Sequence, residues 1–171
     1  MTGSAWKLFI AVAASWALFG PAPARSAQGA LEGKVTEVIS GDTLLIADGG
    51  TRVEVRLADI NAPQGSEYYA PAARTLLASM VLDQPVRVKV TGSGGPDRVF
   101  GRVTVGELDV NLEMVRQGAA WVCWDFAADT YFMPWENAAR RWKRGLWGAT
   151  WEITARAACL RRPPVEQAAP K

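Results

Sequence analysis

Apolar and polar residues alternate over residues 51–57. Val53, Val55 and Leu57 share one face, and Arg52, Glu54 and Arg56 share the other. A period of two predicts a strand with one buried and one polar face. A strand pattern also opens at 35–39 and continues over 43–46, after Ser40-Gly41-Asp42. Asp48-Gly49-Gly50 lies between two apolar alternations and reads as a hairpin turn, because glycine supplies the positive φ that tight hairpins need. Residues 86–90 alternate again, and the glycine-rich stretch 92–96 reads as a loop. Residues 100–105 and 108–110 predict a second hairpin around Gly106, and 120–124 a short strand.

The period lengthens elsewhere. Leu76, Leu77, Met80 and Val81 have helical spacing behind Pro71, a residue suited to a first helical turn. Asn111 is placed to cap a short helix that ends at Gly118. Residues 134–144 predict an amphipathic helix stopped by Gly145. About five strands with interspersed helices give an α+β class: a five-stranded, OB-type Greek-key β-barrel with about three helices. No internal repeat interrupts this order.

Composition narrows the chemistry. The chain has 171 residues, enough for one domain with tails. It contains no histidine, which excludes a Ser-His-Asp triad, a Cys-His pair and a three-histidine zinc site. Proton transfer is left to carboxylates, Lys, Tyr, Cys or water, and a metal site would be built mainly of oxygen, suiting Ca²⁺ or Mg²⁺. Charge is unevenly spread. Residues 136–171 carry eight basic and three acidic side chains, or +5, whereas 25–135 carry ten and fourteen, or −4. A basic end suits a polyanion, and it equally suits a solvated helix face.

The first residues read as an address. Lys7 precedes an apolar run over 8–19, followed by Gly20-Pro21-Ala22-Pro23-Ala24. A charged start, a dozen apolar residues and an A-x-A exit describe a secretory signal, cleaved after Ala24. An uncleaved anchor is the alternative, although the run is short for a membrane span. The expected organisation is a signal peptide at 1–24, a short linker at 25–32, a domain at 33–150 and a basic, proline-containing tail at 151–171. The mature chain is then periplasmic or secreted, without a membrane span, and no protein partner is predicted. Export brings an oxidising compartment, where Cys123 and Cys159 either pair or stay as separate thiols. Six of the eight tryptophans lie between Trp121 and Trp151. Aromatics beside a basic segment can stack on bases, but Trp142 and Trp147 read as core or helix-packing residues.

Five blocks in order carry a resemblance: Ile39-Ser40-Gly41-Asp42-Thr43; Val55-Arg56-Leu57-Ala58-Asp59-Ile60-Asn61-Ala62-Pro63-Gln64; Phe100-Gly101-Arg102; Val115-Arg116-Gln117-Gly118 with Trp121-Val122; and Arg144-Gly145-Leu146-Trp147. Together they resemble the staphylococcal (thermo)nuclease family over about residues 33–147. The resemblance implies an OB barrel with three helices and Ca²⁺-dependent cleavage of phosphodiesters in DNA and RNA. By position, it implies calcium ligands at Asp42, Asn61 and the Ala62 carbonyl, and phosphate-binding arginines at Arg56 and Arg102. It further implies a catalytic position at Gln64 and nucleotide-packing aromatics at Trp124 and Phe126. The residue types agree, since guanidinium groups suit the charge that gathers on phosphoryl oxygens and hard cations suit oxygen ligands.

Two positions depart from the family. Asn61 stands where a second calcium-ligand Asp is usual, and Gln64 stands where the general-base Glu is usual. An amide can still offer a carbonyl oxygen, but it brings no charge to a cation and accepts no proton from a water. Asp59, on the face of Asn61 if the strand persists, and Glu67, three residues beyond Gln64, are the acids nearest in sequence that can substitute. The stretch before Arg102 is one residue longer than usual, and Arg102 itself is read at a loop-to-strand corner. Three readings follow: an exported nuclease with weakened chemistry, a non-catalytic module holding single-stranded DNA or RNA or nucleotides, or a cell-envelope interaction protein.

Overall fold

Two hairpins and a parallel seam build the barrel. The computed structural model describes residues 30–123 and 130–148; the expected leader at 1–24, Trp124, Phe126 and Cys159 lie outside them. Strand β1, Ala30–Ser40, turns through Gly41-Asp42 into β2, Thr43–Asp48, with Ser40 opposite Thr43. β2 turns through Gly49 and Gly50, at φ 54° and 91°, into β3, Thr51–Leu57. Positive φ at both central residues matches the twist of the flanking strands, as the Asp-Gly-Gly signal requires. Val53, Val55 and Leu57 all point inward, as their alternation predicts. β1 does not alternate cleanly. Val35 and Val38 are both buried although three residues apart, and Ile39 is 42% exposed. Register shifts at 35–37 and 38–40 explain this, because a bulge turns the following side chains over.

β4, Ile60–Asn61, and α1, Ala70–Val81, follow. Ala70, Ala73, Leu77 and Val81 form the buried stripe of α1, which packs on β1. β5, Pro85–Gly95, pairs with β1 and with β6, Arg98–Val105. The glycine-rich stretch 92–96 is therefore mostly strand: Gly92 and Ser93 keep their partners in β6, with register shifts between Val90 and Gly92 and between Ser93 and Gly95. Arg102 accordingly sits inside β6, not at its corner. β3 and β6 run parallel, pairing Arg56 with Phe100, and this seam closes five strands into a mixed OB-type barrel.

β7, Leu108–Asp109, leads into α2, Val110–Arg116. The cap of α2 is Asp109, whose carboxylate accepts from Leu112 N; Asn111 lies in the helix and is fully buried. Gly118, at φ 70°, ends the helix as expected. β8, Trp121–Val122, pairs with β4, and α3, Met133–Arg141, precedes a 3₁₀ turn at Gly145–Gly148. Trp142 is 69% exposed, which corrects its expected role as a packing residue; it follows the last turn of α3 and points away from the core.

Candidate phosphate site

The β1–β2 turn and the segment after β3 converge on one carboxylate. Asp42 is fully buried in the tight turn. Gly41 makes that possible, because a Cβ there would lie 2.7 Å from Ala73 Cβ and 2.8 Å from Ala62 Cβ. Five donors face the two oxygens of Asp42. Oδ1 accepts from Ser40 Oγ at 2.8 Å, Thr43 Oγ1 at 2.9 Å and Gln64 Nε2 at 2.9 Å. Oδ2 accepts from Ala62 N at 3.2 Å and Arg56 Nη2 at 3.4 Å. A buried carboxylate needs such partners, since its charge is costly to desolvate.

The same donors reach the neighbouring oxygens. Arg56 Nη2 also donates to Asn61 Oδ1 at 2.5 Å, and Asn61 is buried. Gln64 Nε2 also donates to the Ala62 carbonyl at 3.2 Å. Asp42, Arg56, Asn61, Ala62 and Gln64 thus form one hydrogen-bonded cluster. Glu67 clasps its edge: its carboxylate accepts from Gln64 N at 2.8 Å, and its own N–H donates to Gln64 O at 2.9 Å. Among the described residues, no group of three or more Asp, Glu, His or Cys side chains is placed to hold a metal ion.

Arg102 belongs to the same outer face. Arg56 pairs across the parallel seam with Phe100, two residues before Arg102, so these side chains project from one side of the sheet. Asp59 Oδ2 lies 3.4 Å from Arg102 Nη2, and the guanidinium stands 4.9 Å from the Phe132 ring and 5.6 Å from the Tyr131 ring. Such stacking is favourable for a planar cation. Asp59 does not share a strand face with Asn61. The chain turns at residues 58–59, between β3 and β4, and Asp59 takes φ 64°, which sends its carboxylate to Arg102.

The pattern of residues missed several of these partners. Ser40 and Thr43 flank Asp42 in sequence, and hydroxyls flanking a turn aspartate are the signal that points to them. Tyr131 and Phe132 reach Arg102 only through the chain's tertiary path, so nothing local announces them. Trp124 and Phe126 lie outside the described residues. Cys123 is buried beside Trp121 and Leu146, and Cys159 lies outside the described residues.

Comparison with known proteins identifies the family. Residues 54–149 match the model of the staphylococcal nuclease homologue family. A protein of Escherichia coli named an uncharacterized endonuclease is 34% identical over 118 residues, covering 68% of this chain and 77% of its own. The micrococcal nuclease of Shigella flexneri is 30% identical over 155 residues, 84% of this chain and 87% of that one. Protein ParB of Escherichia coli is 36% identical over 129 residues, 68% and 72% of the two chains.

Proposed function

Because the chain belongs to the staphylococcal nuclease family, we propose that it grips single-stranded DNA or RNA through Arg56 and Arg102 and hydrolyses the phosphodiester only weakly. The observation that carries this reading is the posture of Arg56. Its Nη2 is anchored on Asp42 and Asn61, while its side chain remains 40% exposed. A guanidinium has five N–H donors in a fixed fork. Among the described residues only Nη2 of Arg56 makes a hydrogen bond, which leaves Nε and Nη1 as donors for phosphate oxygens. Arg102, braced by Asp59 and two rings, supplies the second positive charge.

The chemistry follows from those groups. Attack by water on phosphorus gathers negative charge on the non-bridging oxygens, and pre-oriented guanidiniums stabilise that charge. The family resemblance implies calcium, but the residues present do not fit it, since one carboxylate with both oxygens facing donors replaces a multi-acid oxygen cage. Gln64 accepts no proton, so the attacking water passes its proton to solvent while the phosphorus–ester oxygen bond breaks and the departing alkoxide takes a proton from solvent. Loss of general-base help lowers the rate by about 10²–10⁴.

Incubation with a labelled single-stranded oligonucleotide tests this. Binding at low salt and slow cleavage are expected, and Arg56→Ala should raise Kd at least about tenfold and remove cleavage. Absence of binding by the unaltered protein at low salt would sink the reading. We also propose export, with cleavage after Ala24 and pairing of Cys123 with Cys159. The intact mass of protein recovered outside the cytoplasm is expected to lack residues 1–24 and two further hydrogens. A retained leader counts against export, and a fully reduced mass counts against pairing.

A further inference from the structure

We propose that the Gln64 carboxamide takes the place of a divalent cation, so that the phosphate clamp assembles without calcium. The inference rests on the nucleic-acid reading for its purpose, but on the cluster alone for its physics. Three oxygens stand where the family resemblance implies cation ligands: Asp42 Oδ1, Asn61 Oδ1 and the Ala62 carbonyl. Each already accepts a hydrogen bond from a side-chain N–H. One –NH₂ of Gln64 joins Asp42 Oδ1 at 2.9 Å to the Ala62 carbonyl at 3.2 Å. Both neighbours only accept, so the amino end of the carboxamide is the end that faces them. Arg56 Nη2 joins Asp42 Oδ2 to Asn61 Oδ1.

The charge arithmetic of the site supports this assignment. The three ligand groups carry a single negative charge, that of Asp42, and Arg56 already faces it across 3.4 Å. A calcium ion seeks six to eight oxygens, several of them anionic. To enter, it would have to displace the Gln64 amide from two acceptors and compete with Arg56 for Asn61. Glutamate at position 64 would reverse the situation at almost unchanged shape. A carboxylate oxygen would then replace the amino group, and that oxygen, Asp42 Oδ1 and the Ala62 carbonyl would converge with no N–H between them. A cation would relieve that repulsion. One atom exchange, N for O, thus separates a self-closed site from a metal-requiring one. Glu67 holds the position 64 backbone N–H at 2.8 Å, which keeps the side chain aimed inward in either case.

Thermal unfolding of the purified protein, in EDTA and in millimolar CaCl₂, reads this directly. The unaltered protein should show the same Tm in both, within about 1 °C. Gln64→Glu should melt lower in EDTA and gain about 4 °C or more in calcium, the shift that a ligand well above its Kd produces in a chain of this size. A calcium-induced gain of that size in the unaltered protein would overturn the proposal. So would a folded Gln64→Glu protein with no calcium response. Should Gln64→Glu fail to fold in either medium, titration calorimetry of the unaltered protein decides. Saturable calcium heat overturns the proposal, and its absence supports it. Oligonucleotide binding separates this inference from the function it serves. Equal Kd in EDTA and calcium supports both, and binding only in calcium overturns this one. Absence of binding in both media removes the nucleic-acid reading, while the Tm comparison still decides the role of Gln64.

Discussion

Asn111 shows how much one side chain can hold at this scale. It is fully buried and bonds three backbone groups: its Oδ1 accepts from Val103 N at 3.0 Å, and its Nδ2 donates to the carbonyls of Ala58 at 3.0 Å and Gly101 at 3.3 Å. Ala58 opens the segment that carries Asp59, Asn61 and Gln64, and Gly101 precedes Arg102. This amide and the Ala58 N–H, which donates to Gly101 O at 2.8 Å, together fix the spacing between the two halves of the clamp. Asn111→Ala takes the side-chain partner from Val103 N and Ala58 O, while Gly101 O keeps Ala58 N at 2.8 Å, and should cost about 2–4 kcal/mol, read as a lower urea midpoint at unchanged m. The sequence made Asn111 look like a helix cap, because Asn and Asp serve that role equally and Asp109 stands only two residues away. What separates them is burial, which no local pattern contains. The positions of Arg56 and Asp42 were legible for a different reason: they follow from a strand face and a turn, both of which are local.

Elements were legible wherever their period was clean. β3 follows its alternation residue by residue, while β1 and β5 carry bulges that the pattern blurs, so the glycines of β5 mimic a loop. Helix α2 is seven residues long, too short to persist by propensity, and depends on its ends. Glu113 in its first turn accepts from Arg116 at 2.7 and 2.9 Å and from Gln117 at 2.6 Å. Hydrogen bonding to Arg116 is the largest effect and holds the Glu113 carboxyl below its ordinary value of 4.5; burial opposes it, and the bond to Gln117 adds a smaller lowering. A carboxyl whose folded value is depressed contributes stability above the unfolded value and loses it as pH falls through the folded one. The difference in stability between the unaltered protein and Glu113→Gln should therefore be constant at neutral pH, about 0.5 kcal/mol for a pair so near the surface. It should vanish as pH drops below 4.5. Paired thermal melts across that range check the element's share of acid sensitivity, and a difference that grows on acidification would contradict it.

At the scale of the whole molecule, closure depends on the parallel pairing of β3 with β6, whose residues lie 44 apart where Glu54 meets Arg98. Periodicity finds the strands but not this seam, which is why the ordered blocks of the family resemblance were needed to join Arg56 and Arg102 on one face. Net charge gives no comparable guidance. Removing residues 1–24 takes only Lys7 from the 19 basic residues, leaving 18 against 17 acidic, or +1. The +5 of residues 136–171 is also partly engaged within the fold. Arg140 bonds the buried Glu136 at 2.8 Å and stacks 3.7 Å from the Trp147 ring, and Arg144 Nη1 donates to the Arg116 carbonyl at 3.2 Å. Affinity for a polyanion should then reflect two clamp arginines and not the basic end. Each phosphate neutralised on a single strand releases counterions, with a slope of log K against log salt of about −0.7 per contact. Two contacts predict a slope near −1.4. Fluorescence anisotropy of a labelled oligonucleotide across a salt series measures it. Arg56→Ala should flatten the slope by about half, whereas engagement of all eight basic residues of 136–171 would steepen it to about −5.6. A slope that steep would move the nucleic-acid surface from the barrel face to the closing segment.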